Sequence, residues 1–323
     1  MAQVLPVSMV TPVIEEHPAI SSSQAAQVPS TAIVFCTNPL RPTEPDPAFA
    51  REAAAARALG LRRLLIDHDA VEQHDLTAAL RRVPPDQPTD AVYRGWMLRV
   101  EDYALLYDAL IRRSVHLINS PEQYRSCHWA PLAYPSISRW SASAAWLDAE
   151  RIADDRALRA ALAGFGDGPV VVKDWVKSQA AGYWREACFI PSAADLPAVR
   201  RVIDRFVELQ GESLVGGLFF RAWHDLARAQ GQTDEWRAFS LEGHPIGCWP
   251  RFAAPAAEAP PPDLVGAVCA ALPSRFATAD FARLTAGGWL LIEVGDGQVS
   301  ELPEAADPSA FLSALTKLPS HAD

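Results

Sequence analysis

Between Arg275 and Pro303 the chain reads RFATADFARLTAGGWLLIEVGDGQVSELP, two apolar-rich runs joined by Thr-Ala-Gly-Gly. No other stretch restricts the fold so tightly. A turn centred on Ala286 and Gly287 places Asp280 directly across a hairpin from Glu293. Side chains so opposed have Cβ atoms about 5 Å apart, and like charges there repel unless something compensates. A divalent cation would do so. Oxygen-only ligation suits Mg²⁺, which keeps several waters and shares phosphate oxygens with a substrate. Glu293 lies inside LLIEV, where burial makes an unpaired carboxylate costly. Three alternatives stay open. A turn one residue longer breaks the pairing, and Arg237, on one face of EWRAFSL with Phe239 and Leu241, is an ion partner for Glu293. Asp296, in GDG, is either a second-choice metal ligand or the Asp of an Asp-Gly turn.

A cationic stretch, GPVVVKDWVKSQ at 168 to 179, balances these acids. The valines after Pro169 read as a short buried strand, and period two puts Val171, Lys173, Trp175 and Lys177 on one face. In a regular strand four residues span roughly 13 Å. The two lysines then hold parts of one long anion, or else they only lift their charges to solvent at a strand end.

A chain of 323 residues and formal charge −10 is long enough for two or three lobes and lacks the overall basic charge of a nucleic-acid-binding protein. Polyanions must be met locally. Cys36, Cys127, Cys188, Cys248 and Cys269 are scattered, with no Cys-x-x-Cys and no histidine at metal-ligand spacing, so neither a zinc site nor a disulfide framework is expected. No apolar run approaches the ~20 residues needed to cross a bilayer, and the first thirty residues do not resemble a signal peptide. No membrane partner and a cytoplasmic location are expected.

Residues 1–30 read as a loose leader. From AIVFC onward strands and helices alternate: a strand, a helix with Asp46 as N-cap and Pro47 as first residue closed by Gly60, the strand LRRLLID, a helix in the seventies, DAVY, EDYALLYDALIRR, VHLI, and a helix begun by Ser120-Pro121. This is a small doubly wound α/β domain over 31–130. WAPLAYPSISRWSASAAWL reads as a surface connection. The remainder, 131–323, reads as a mainly antiparallel α+β unit: a strand at 169–176, a helix from Asp195 to about Gln210, SLVGGLFFRAW, a hairpin of EWRAFSL and HPIGCW turning at Glu242-Gly243, a proline-rich loop at 255–262, and two further helices around the hairpin already described. The overall fold class is α/β plus α+β.

Two residues of the first domain are candidates for holding substrate. Arg94 ends the strand VYR at the carboxyl edge of a parallel sheet, where such sheets bind ligands, and suits a carboxylate; it serves equally well to tie a loop through backbone carbonyls. Tyr124, in INSPEQYR, is placed to line the same cleft. Walker A and Gly-x-Gly-x-x-Gly motifs are absent.

VVKDWVKS, GGLFFRAW, EWRAFSL followed by EG and PIG, and GGWLLIEVGDGQVSELP, in that order, resemble the ATP-grasp superfamily, and within it the clade named for an arginine and two lysines. The likeness runs from YRGWML at 93–98 to the C-terminus. It implies ATP-grasp-type lobes, ATP and Mg²⁺ as cofactors, and Lys173 and Lys177 on the nucleotide. It also implies Phe219 and Arg221 in the strand against which adenine lies, Arg237 at the phosphates, with Lys177 as its catalytic companion, and Asp280 with Glu293, then Asp296, at the metal. The activity implied is a carboxylate–amine ligase that passes through an acylphosphate, its substrate an amino acid, peptide or other small molecule. An ATP-dependent phosphotransferase and a non-catalytic ATP sensor or partner-binding protein are the alternatives. Two departures stand out. Gly295 occupies the place of the family's usual asparagine, and Ala222 the place of an acidic ribose contact, for which Asp225 is a possible substitute.

Overall fold

The structure is a computed structural model and describes residues 31–85, 88–252 and 258–317. The expected leader and the start of the proline-rich loop lie outside the described residues.

β1 (Ala32–Asn38) is buried at every position, as a central parallel strand must be. β2 (Arg41–Pro45) folds back antiparallel on its end, an edge the sequence reading missed. The Asn38 side chain makes that turn by accepting from the backbone N–H groups of Leu40 and Arg41. Asp46 caps the helical turn that leads into α1 (Ala50–Ala58), and Gly60, with φ of 68°, closes it. Then follow β3 (Arg63–Ile66), α2 (His68–Glu72), α3 (Leu76–Ala79), β4 (Thr89–Arg94), α4 (Val100–Ile111), β5 (Val115–Leu117) and α5 (Pro121–His128). Strands β3, β1, β4 and β5 lie side by side in parallel. α5 begins with a reciprocal capping box between Ser120 and Gln123.

The expected surface connection is instead α6 (Ala130–Ile137) followed by β6 (Ala144–Asp148). Proline and serine content misled here. Pro131 sits in the first helical turn, where its missing N–H costs nothing, and the helix is only eight residues long, so Pro135 disturbs a single turn.

The second sheet has the order β6, β9, β7, β8, from β7 (Val170–Asp174), β8 (Phe189–Ile190) and β9 (Gly217–Ala222), all antiparallel neighbours. α7 (Asp155–Leu162) and α9 (Leu196–Gln210) cover one face of it, and the short α8 (Ala180–Tyr183) lies between β7 and β8. Val199, Val202, Ile203 and Phe206 recur at helical spacing on α9 and are all buried, each worth about 1.5–3 kcal/mol.

A small ribbon of β10 (Arg228–Ala229) and β11 (Gln232–Thr233) leads to the third sheet, β12 (Glu235–Leu241), β13 (His244–Pro250), β14 (Phe276–Arg283) and β15 (Trp289–Asp296), ordered β13-β12-β14-β15. The β12–β13 turn is Glu242-Gly243, both at positive φ, as the sequence suggests. α10 (Pro262–Cys269) backs this sheet. The last helix, α11 (Pro308–Leu315), returns to the first sheet. Its Phe311, Leu312 and Leu315 share a core with Phe35, Ala56, Phe239 and Phe276. No helix among the described residues is long and apolar enough to cross a membrane.

Candidate active site

The second and third sheets face each other across a cleft enclosing about 240 Å³. One wall follows from strand alternation in β7 and β9. Val170, Val172, Leu218 and Phe220 point into the core beneath α9. Lys173, Phe219 and Arg221 therefore face the cleft. Lys173 lies directly across from Phe219, and Val171 from Arg221. Phe219 stacks on Trp146 at 6.1 Å and meets the edge of Tyr134, giving this end an aromatic floor.

The face expected to carry both lysines does not form beyond Lys173. Asp174 ends the strand: its carboxylate accepts from the backbone N–H groups of Val176 and Lys177, and also from Gln210 Nε2 at 2.6 Å. The chain turns there, so Lys177 is exposed and does not line the cleft. Its neighbour Trp175 packs edge-on against Trp129 and covers Gly216, where a Cβ would fall 2.1 Å from the indole. Gly216 also has φ of 68°, so the Gly-Gly pair before Leu218 is required twice over.

The other wall carries Arg237, Arg251, Thr278, Asp280, Glu293 and Ser300. Asp280 does lie across from Glu293. The route to that register is indirect, because the hairpin pairs Arg283 with Trp289 around a longer turn and then inserts Ile292 as a bulge before Glu293. The bulge compensates for the turn. Arg221 donates to the carbonyl of Ile292, joining the two walls at that point.

The carboxylate pair does not stand free. Arg237 grips Asp280 with two bonds, Nε to Oδ1 at 2.8 Å and Nη2 to Oδ2 at 2.7 Å, and Arg251 lies 3.2 Å from the same carboxylate. Arg237 also donates to the Glu301 carbonyl at 3.1 Å. Burial lowers the pKa of Arg237, but the facing Asp280 outweighs it and holds the guanidinium charged. Glu293, expected to be desolvated, keeps 47% of its side chain exposed to the cleft and meets Lys173, Nζ to Oε1, at 3.4 Å. Enclosure by the walls pushes its pKa up, yet Lys173, Arg237, Arg251 and Arg221 together hold it below the usual carboxylate range. Among the described residues no three His, Cys, Asp or Glu side chains cluster as a metal site. The donors nevertheless suit Mg²⁺ held jointly with phosphates, which needs only one or two carboxylates. Glu293 is the accessible one, and Asp280 is engaged by arginine.

Three of the residues expected to contact ligands are held by partners within the protein. Asp296 is fully buried, its two oxygens accepting from Asn119 Nδ2 at 2.6 Å and from the Gln298 N–H at 2.8 Å, so it ties the third sheet to the first domain. Burial raises its pKa to about 7. Arg94 is also fully buried, paired through Nε and Nη2 with Glu52 at 2.6 and 2.9 Å and donating to the Gly297 carbonyl, so that it locks a loop. Tyr124 bonds both the N–H and the carbonyl of Leu98 and stacks on Tyr103 at 3.9 Å, inside the first domain's core. Gly295 has a local reason. A Cβ there would lie 2.9 Å from Thr278 Oγ1 and 3.1 Å from Ser300 Oγ, two hydroxyls bonded to each other at 2.8 Å, so they occupy the space a larger residue would need.

Sequence reasoning missed Arg251, Thr278, Ser300 and His128. Arg251 had no signal: the Glu242-Gly243 turn alone would set Arg237 opposite Cys248, and only a bulge between Phe239 and Ser240 brings Trp249, and with it Arg251, to the side of Arg237. His128 had none, since only tertiary packing brings the end of α5 to the cleft.

Residues 163–315 match an ATP-grasp domain family, the third family of the clade named for one arginine and two lysines. No curated protein sequence matches the chain. The fold is similar to that of a RimK domain protein ATP-grasp from Sphaerobacter thermophilus, at TM-score 0.58 and 15% identity over 89% of this chain and 99% of that one. It is similar to the ATP-grasp ligase PsnB complexed with minimal precursor, Mg and ADP, at TM-score 0.51 and 11% identity over 88% and 96% of the two chains. It is similar as well to the D-alanine-D-alanine ligase from Coxiella burnetii, at TM-score 0.54 and 12% identity over 90% and 91%. Such low identities speak for the fold alone. Family match, facing sheets and the lysine, arginine and glutamate around the cleft agree for the matched part of the chain: residues 163–315 form a domain similar to the ATP-grasp superfamily.

Proposed function

We propose that this protein uses ATP and Mg²⁺ to activate a carboxylate as an acylphosphate and join it to an amine, as its fold neighbours named as ligases suggest. The observation that carries the reading is the division of the cleft. Phe219 and Tyr134, with Trp146 stacked on Phe219, offer a flat face for a base, and beside it four cations, Lys173, Arg221, Arg237 and Arg251, surround the half-exposed carboxylate of Glu293. Phosphoryl transfer asks a protein chiefly to position reactants and offset charge on the moving group. Lys173 and Arg251 are placed to hold phosphate oxygens. Asp280 fixes the Arg237 guanidinium so that it enters the cleft in one orientation. Mg²⁺, when bound beside Glu293, supplies further neutralisation of the phosphates. The amine and carboxylate belong to a small molecule or a peptide end.

The test is ATP-dependent hydroxamate formation with hydroxylamine as trapping nucleophile and pooled amino acids and short peptides as carboxylates. ADP and hydroxamate formed together support the reading. ATP that fails to raise the unfolding temperature in the presence of Mg²⁺ sinks it. One observation favours a second reading, ATP binding without turnover: Asp280 is held by two arginines, so that of the facing pair only Glu293 is open to metal. Stabilisation by ATP with no ADP release under any acceptor would decide for that reading.

A further inference from the structure

His128 closes α5 and forms part of the cleft wall, yet its side chain is only 8% exposed. The ring stacks on Tyr124 at 4.0 Å, which in turn stacks on Tyr103. Nδ1 lies 2.9 Å from the Tyr124 carbonyl, an acceptor, so Nδ1 carries the proton and donates. Nε2 is then a bare lone pair. It is buried and has no partner among the described residues. A buried polar atom left unpaired costs about 1–3 kcal/mol, and a lone pair in the wall of a binding cleft is one that a ligand can satisfy.

The surroundings limit what that ligand group is. Glu293, Lys173 and Lys177 are the charges that act on the imidazole, and burial lowers its pKa to about 4, so it stays neutral. Glu293 and Lys173 are charges of the cleft wall, where phosphates would be met. Phosphate and carboxylate oxygens are themselves acceptors and cannot bond to Nε2. Lys173 pairs with Glu293 in the free protein and would turn to phosphate when nucleotide enters. Of the groups that react in the ligase reading, phosphate, carboxylate and amine, only the amine brings an N–H donor.

We propose that His128 Nε2 accepts a hydrogen bond from the N–H of the incoming amine and so positions the nucleophile. The assignment rests on the ligase reading above and adds which side chain meets the amine. A neutral acceptor beside lysines selects a neutral, deprotonated amine, the form whose own lone pair is free to attack.

The experiment uses the full chain, the hydroxamate assay and two variants. His128→Phe keeps a stacked ring and removes the acceptor, whereas His128→Gln offers an acceptor again. In the Phe variant the KM for hydroxylamine should rise roughly threefold to tenfold, the loss expected for one hydrogen bond, with the KM for ATP unchanged. The Gln variant should recover part of it. Two-bond nitrogen–proton NMR on histidine-labelled protein reads the tautomer without any substrate, and should show Nδ1 protonated and Nε2 bare at neutral pH. An Nε2-protonated ring, an unchanged hydroxylamine KM, or a KM for ATP that rises in step would overturn the assignment while leaving the ligase reading intact. Absence of hydroxamate from wild-type protein overturns the ligase reading and the assignment with it.

Discussion

Lys173 Nζ and Glu293 Oε1 meet 3.4 Å apart across the cleft, one from the second sheet and one from the third. With side chains 23% and 47% exposed the pair is worth less than about 1 kcal/mol to folding. Its importance is positional, since phosphates entering the cleft would take the lysine and free the glutamate for a cation.

Glu293→Ala should therefore change the stability of the free protein by less than about 1 kcal/mol. Nucleotide linkage is where it should tell. ATP at about a hundred times its dissociation constant stabilises a protein by ~2.7 kcal/mol. Thermal unfolding with ATP, with and without Mg²⁺, should show a Mg²⁺-dependent shift in wild type that the variant lacks. An equal shift in both proteins would remove Glu293 from the metal site.

Lys173 and Lys177, equal in the sequence, should behave differently. Lys173→Ala should weaken ATP binding by about tenfold or more, the scale of a lost charge-assisted hydrogen bond of ~1.5–3 kcal/mol. Lys177→Ala should stay within about twofold, because solvent screens an exposed lysine outside the cleft wall. Isothermal titration of both variants decides it, and equal losses would mean that the turn set by Asp174 rearranges around the nucleotide.

Arg94→Met should cost about 3–5 kcal/mol, because it strands the Glu52 carboxylate in the core. Replacing both, Arg94→Met with Glu52→Leu, should recover most of that loss in denaturant unfolding and leave the KM values for ATP and the carboxylate near wild type. A folded double variant whose KM for the carboxylate alone rises sharply would restore Arg94 as a substrate ligand.

Asp296 gives a pH signature. Its pKa rises on folding from 3.8 to about 7, so between those values the folded state holds a proton that the unfolded chain has lost. Stability from this group is full below about pH 4 and falls as pH climbs towards 7, with a slope of up to 1.36 kcal/mol per unit. Asp296→Asn should flatten that part of the stability profile, becoming relatively more stable as pH rises. A wild-type slope that survives in the variant would place the titration elsewhere.

Local pattern alone was enough to read most elements. The buried run at β1, the Asp46 and Ser120 caps, the Glu242-Gly243 turn and the helical spacing of α9 are all short-range constraints of hydrogen bonding and periodicity. The Asp280–Glu293 opposition was legible for the same reason, although a bulge at Ile292 had to offset a longer turn. Partner choice was not legible. Whether Arg237 meets Glu293, a phosphate or Asp280 depends on which side chains two strands present at one height, and the sheet gave it Asp280. Arg94 and Asp296 looked like ligands because charged residues near strand ends often are; their hydrogen-bonding partners, Glu52 and Asn119, lie in distant segments that only folding brings near. Chain order and periodicity determined which strands and helices this protein forms. Only the tertiary structure decided which charges remain free to meet a substrate, because a buried charge is settled by whichever opposite charge or dipole packs against it, at any distance along the chain.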